Sequence, residues 1–389
     1  MDPLGVLLLG IAASVFVGFN IGGSSTGIAW GPAVGAGLIR KTTAAAAMVF
    51  FVFLGGWTVG RNVIDTLSGD IITIAISLEA GIGVLFFIGL GILIANVFGV
   101  PVPTSMTTVS AIAGLGLATG TLNWETMGRI VAWWVVTPVI GFWIGAVIGR
   151  YLYPHLDRRF TIESTEGPLL ALDRNGAIPK PALGPNTTVQ ELLGTGIVLV
   201  VACYMAFSAG ASNVPNAVAP LVSDGALETN PAIVIATLAI GLGGFTIARR
   251  TMESVGGELS DIRLLPAVIV MITAATITTF LSYIGIPISL VMATVMTIVG
   301  LGWGRASRSL AGRDVIRGDT DTEVPLGAIT VETPEHVPEI GEEEPPEVLD
   351  AGELFNPRAV AKYVSMWVIG PSVSLALSYA FFAFLPFVG

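Results

Sequence analysis

Near-continuous apolar segments of about twenty residues recur along the chain, and no other feature restricts the fold as much. A helix of that length spans the hydrocarbon core of a bilayer. Of 389 residues, 53% are hydrophobic and 12% charged, against roughly 25% charged in a soluble domain. Two soluble domains with buried helices would need polar helix faces, which these segments lack. The expected class is an all-α polytopic membrane protein. The spans are expected near 4–20, 42–64, 78–98, 104–117 and 126–151 in the first half. Those of the second half fall near 190–208, 233–248, 262–284, 287–303 and 359–387. The segment from Leu4 has no basic leader and runs on into the next pattern, so it reads as a mature helix rather than a signal peptide.

Between two of these segments lies an uncharged stretch, Gly22-Gly23-Ser24-Ser25-Thr26-Gly27-Ile28-Ala29-Trp30-Gly31-Pro32. A counterpart, Gly210-Ala211-Ser212-Asn213-Val214-Pro215-Asn216-Ala217-Val218-Ala219-Pro220, follows 188 positions later. Small residues, hydroxyls and a closing proline inside a membrane predict a broken helix. A short half-helix is expected after each break, near 28–38 and 213–221. Leu54-Gly55-Gly56-Trp57-Thr58 recurs at the same offset as Leu242-Gly243-Gly244-Phe245-Thr246. Val100-Pro101-Val102-Pro103 pairs with Ile286-Pro287-Ile288-Ser289, and Trp134 through Pro138 with Trp367 through Pro371. Matches in the same order point to two homologous halves.

Each half then holds about five transmembrane helices plus a re-entrant half-helix, and an odd count makes the two repeats inverted in topology. The units expected are a first repeat at 1–153, a cytoplasmic linker at 154–188, and a second repeat at 189–389. With both termini outside, all of the 18 Lys and Arg except Arg61 and Arg129 face the cytoplasm, as the positive-inside rule requires. The second repeat carries a hydrophilic insertion at 304–356 with 13 Asp and Glu, a composition expected of a solvated loop.

The chemistry excludes more than it supplies. Cys203 is the single cysteine, and His155 and His336 the two histidines, so a disulfide framework and a histidine metal site are both unexpected. No nucleophile elbow, metalloprotease pattern or Walker motif is present, so neither an enzyme nor ATP-driven transport is expected. Nucleic-acid binding is not expected either. What remains is binding with translocation. A helix N-terminus presents free N–H groups and a positive dipole end, which together attract an anion. Ser24 and Ser25 precede one expected terminus, and Ser212 and Asn213 another. Thr104 and Ser105 open the helix after the first pair of prolines, and Ser289 opens its counterpart. These seven residues are the candidate substrate site for a small inorganic anion.

The two glycine-rich stretches resemble the duplicated signature of the inorganic phosphate transporter (PiT) family, Gly-x-Asn-Asp-x-Ala-Asn-Ala. Asn216-Ala217 and Pro220-Leu221 match the second copy, and Trp30-Gly31 the continuation of the first. Pro101-Val102-Pro103-Thr104-Ser105-Met106 resembles the family's Pro-x-Ser-Thr-Thr-His element. The resemblance covers nearly the whole chain. It implies secondary transport of phosphate across the plasma membrane by alternating access, with Na⁺ or H⁺ as coupling ion, and a homodimer. The signature aspartates fall on Ser25 and Asn213, so neutral oxygens stand where the family holds carboxylates. Asn20 and Asn216 are then the candidate cation ligands. Sulfate or another tetrahedral oxyanion is the alternative cargo, and an uncoupled anion channel the alternative mechanism.

Overall fold

The computed structural model describes residues 2–97, 103–159, 170–173, 180–183, 187–246, 264–307 and 357–384. The first half runs through α1 (Pro3–Gly35), α2 (Lys41–Trp57), α3 (Gly60–Asp65), α4 (Leu78–Val97), α5 (Thr104–Thr119), α6 (Trp124–Val147) and α7 (Tyr153–Arg159). Pro3 opens α1 at a position where its missing N–H costs nothing. The Asn123 side chain caps α6 by accepting from the N–H groups of Glu125 and Thr126. Gly120 closes α5 in the left-handed conformation, at φ 69°.

A short antiparallel hairpin, β1 (Leu170–Asp173) with β2 (Lys180–Leu183), lies in the linker. The second half comprises α8 (Val189–Val222), α9 (Thr229–Thr246), α10 (Leu264–Tyr283), α11 (Leu290–Ala306) and α12 (Pro357–Phe384). Among the described residues seven helices are long and apolar enough to cross a membrane, and α2 with α3 makes an eighth. α5 and α11, of 16 and 17 residues, are shorter. The acidic stretch after Ser307 lies outside the described residues.

Neither expected break is a break. α1 continues for 33 residues through Gly22–Pro32, and α8 for 34 residues through Gly210–Pro220, so the half-helices expected at 28–38 and 213–221 do not exist as separate elements. The glycines serve another need. A Cβ on Gly22 would lie 1.9 Å from the carbonyl oxygen of Ile240 on α9, and one on Gly210 would lie 2.1 Å from that of Val52 on α2. Small residues here let backbones touch, which is how helices associate in lipid. The chain does bend elsewhere: α3 and the π-helical turn after it, Thr66–Asp70, turn by 62° from α2.

The close crossings are reciprocal. A Cβ on Gly55 would meet the Phe207 carbonyl at 1.9 Å, and one on Gly243 would meet that of Phe19 at 2.0 Å. Gly22 and Gly210 are 188 positions apart, as are Gly55 and Gly243. Successive glycines give the direction. Gly18 faces Ala236 and Ala239, while Gly22 faces Ile240 and Gly244; Gly55 faces Phe207 and Ala211, while Gly56 faces Val214. α1 therefore runs parallel to α9, and α2 parallel to α8. Farther out, α5 packs along α12 and α6 along α11. Every one of these pairs takes one helix from each half.

Connections collect at two ends of the bundle. At one, the Thr73 N–H donates to the Thr121 carbonyl, the Ile76 N–H to Ser223 Oγ, and Arg61 to Asn230 Oδ1. At the other, Arg150 donates to the Ser307 carbonyl at 2.7 Å. Arg40 and Lys41 lie there beside Gly244 and Phe245.

Candidate substrate site

Three of the buried polar side chains of α8 cluster in one stretch, Ser212, Asn213 and Asn216. Two helix starts reach them. α5 begins at Thr104 after Pro103, whose ring cannot donate a backbone N–H. α11 begins after Ser289, which follows the chain's descent from Gly285.

The bonds among these residues fix the direction of each proton. Ser212 Oγ donates to the Ile288 carbonyl at 2.6 Å, and Ser105 Oγ donates to the same oxygen at 3.0 Å. The two hydroxyls lie 3.2 Å apart. Thr104 Oγ1 donates to Asn213 Oδ1 at 2.7 Å. With those hydroxyl protons committed, the oxygens of Thr104 and Ser105 accept, and both take the Asn216 amide N–H groups, at 3.4 and 3.1 Å. This orientation of the Asn216 amide leaves its Oδ1 buried with no partner, a condition that costs about 1–3 kcal/mol unless something else donates or binds there. Thr108 Oγ1, one turn further along α5, is buried and unpartnered as well.

The two helix starts differ. Ser289 Oγ accepts from the Met292 N–H, capping α11. α5 has no side-chain cap, and its first two side chains, Thr104 and Ser105, belong to the hydroxyl and amide cluster. No charged side chain takes part in these bonds, so the positive ends of the two helix starts are the nearby fixed charges.

Five of the nine sequence-predicted residues thus meet at one place: Thr104, Ser105, Ser212, Asn213 and Asn216. Ser289 adjoins them through Ile288. Because α1 and α8 are continuous, the helix N-termini expected at Ser24, Ser25, Ser212 and Asn213 are absent, and the four expected termini become two. Ser24 and Ser25 belong to α1, and their side chains lie outside the described residues. Asn20 is bonded elsewhere: its backbone oxygen and Oδ1 both accept from Asn96 Nδ2, at 3.0 and 3.3 Å. Sequence reasoning missed Asn96, although it is the lone amide in its span. It also missed the Ile288 carbonyl, which no side chain announces. Among the described residues no cluster of three or more His, Cys, Asp or Glu could hold a metal ion.

A polytopic helical bundle with a neutral, buried, donor-rich cluster where two helix starts meet is the architecture of a membrane transporter for a small solute. The phosphate transporter family model matches residues 21–378, and the chain belongs to that family, one of transporters rather than enzymes. Sulfate permease CysP of Bacillus subtilis is 29% identical over 317 residues, covering 80% of this chain and 81% of that protein. The chloroplastic inorganic phosphate transporter 2-1 of Arabidopsis thaliana is 23% identical over 406 residues, covering 80% of this chain and 69% of that protein. A solved sodium-dependent phosphate transporter has the same fold, at a TM-score of 0.66 and 19% identity, with 99% of this chain and all of that one covered.

Proposed function

We propose that this protein is a secondary transporter carrying inorganic phosphate, or a similar tetrahedral oxyanion, across the plasma membrane by alternating access. The observation that carries this reading is the buried cluster in which Thr104 and Ser105, at the uncapped start of α5, meet Ser212, Asn213 and Asn216 of α8. The uncapped N–H groups of α5 and the Asn213 amide supply donors without a cation, the hydroxyls of Thr104, Ser105 and Ser212 join them by turning from the Asn213 and Ile288 oxygens, and Asn216 Oδ1 supplies an acceptor. The donors suit an oxyanion, and the acceptor suits the coupling ion, Na⁺ or H⁺ carried as hydronium. Asn20 is the second candidate cation ligand, and Ser24 and Ser25 remain candidates on α1. The reciprocal glycine crossings support two inverted repeats, and the bias of Lys and Arg supports both termini outside.

Sulfate is the second reading, favoured by the 29% identity to a sulfate permease and by neutral residues at the signature positions Ser25 and Asn213. Uptake of radiolabelled phosphate and of sulfate into proteoliposomes, with and without Na⁺ and H⁺ gradients, separates the two. Saturable phosphate uptake supports the first reading and saturable sulfate uptake the second. Uptake of neither under any gradient removes both.

A further inference from the structure

At one end of the bundle α1 finishes, α2 begins and α9 finishes beside one another. Between them is an open cleft of about 490 Å³ lined by Val34, Ile39, Arg40, Lys41, Thr42, Ala45, Gly244 and Phe245. Its lining is mixed: Arg40, Lys41 and Thr42 at the start of α2 are cationic or polar, and Val34, Ile39, Ala45 and Phe245 are apolar, with Phe245 45% exposed.

The equivalent junction of the second half, where α8 gives way to α9, lies 188 positions on and places Glu228 and Thr229 where the first half has Arg40 and Lys41. A general preference for basic residues on one side of the membrane accounts for the sign. It does not account for an adjoining apolar recess that opens where the spans end.

We propose that this cleft binds an anionic glycerophospholipid, with its phosphodiester against Arg40, Lys41 and Thr42 and the upper part of an acyl chain along Val34, Ile39 and Phe245. A phosphodiester accepts hydrogen bonds and carries the complementary charge. Basic recesses between transmembrane helices are suited to such headgroups, each Lys or Arg near an anionic surface being worth about 1 kcal/mol. A free inorganic anion would use the cationic residues and leave the apolar ones uncovered.

The test is thermal stability of the full-length protein in nanodiscs of phosphatidylcholine alone and of phosphatidylcholine with 20–30% phosphatidylglycerol, followed by the lipids retained on extraction. The expected result is a higher midpoint with phosphatidylglycerol and its enrichment on the protein. Arg40→Gln and Lys41→Gln should each weaken that retention about five-fold. A Phe245→Ser variant, which keeps both cations, should weaken it too. Equal midpoints in the two lipid mixtures, or retention unchanged in all three variants, overturns the proposal. Protection by soluble inorganic phosphate or sulfate with none from phosphatidylglycerol also overturns it, and assigns the cleft to a small anion. None of these readouts depends on transport.

Discussion

α5 and α11 start at corresponding places in the two halves, and they start differently. Ser289 caps α11 with its own hydroxyl. Pro103 precedes α5 with no cap, and the first hydroxyls of that helix, Thr104 and Ser105, bond instead to α8 and to the Ile288 carbonyl. The crossings of α1 with α9 and of α2 with α8, by contrast, keep glycine at corresponding places, Gly22 with Gly210 and Gly55 with Gly243. The packing therefore matches between the halves where the helix-end chemistry does not. At these four positions a Cβ would lie about 2 Å from a carbonyl oxygen, so any side chain needs the backbones to move apart. Where a helix end meets polar side chains, one half can close its terminus while the other leaves it open.

The largest expected effect tests the part of this comparison that is symmetric. Gly22→Val and Gly210→Val each place a branched side chain where even a Cβ would meet a carbonyl oxygen. Overpacking of this kind costs about 1–3 kcal/mol or more. Monodisperse yield on size exclusion should collapse for both variants to a similar degree. Tolerance at Gly210 alone would mean that the two crossings are not equivalent.

The asymmetric part is tested next. Asn216→Leu removes the two donations that hold Thr104 and Ser105 and the unpartnered acceptor together, so the apparent affinity for the transported anion should fall about 10- to 100-fold. Unchanged KM with a folded protein would take Asn216 out of the site. Ser105→Ala and Ser289→Ala then form a matched pair. Loss of the Ser105 hydroxyl should raise KM about ten-fold. Loss of the Ser289 hydroxyl should leave KM unchanged and lower the stability of the protein by about 1 kcal/mol, the worth of an N-cap, read as a lower melting midpoint. The reverse pattern would move the anion to α11. The smallest effect is a sharpening one: Ser25→Asp and Asn213→Asp should each raise the Na⁺ dependence of uptake a few-fold, and a difference between them would show which half carries the coupling ion.

Much of this was legible in the sequence, for a reason specific to lipid. A bilayer forces each crossing to be a helix of about twenty apolar residues, so the element order, the two short helices after the prolines and the offset of 188 could all be read directly. The breaks could not. Glycine opens a backbone and also lets one backbone approach another, and which applies at Gly22 depends on the Ile240 carbonyl, more than two hundred residues away in sequence. The polar residues of α8 and α5 announced themselves because hydroxyls and amides are rare in such spans. Thr108 did not, since it reads as one more helical threonine until its hydroxyl proves to have no partner. The Ile288 carbonyl had no side-chain signal at all.

The pairing of α1 with α9 has a consequence for how the protein is made. α1 is made before α9, and the helix that fills its glycine face begins only at Thr229. At a synthesis rate of about 5–20 residues per second, roughly ten to fifty seconds separate the two. Through that interval Gly22 and its neighbours face lipid, or a translocon or chaperone that shields them, and α2 waits in the same way for α8. The newborn first half is therefore an open surface that only the second half can close, and pauses in translation between Leu38 and Thr229 are where misassembly should begin.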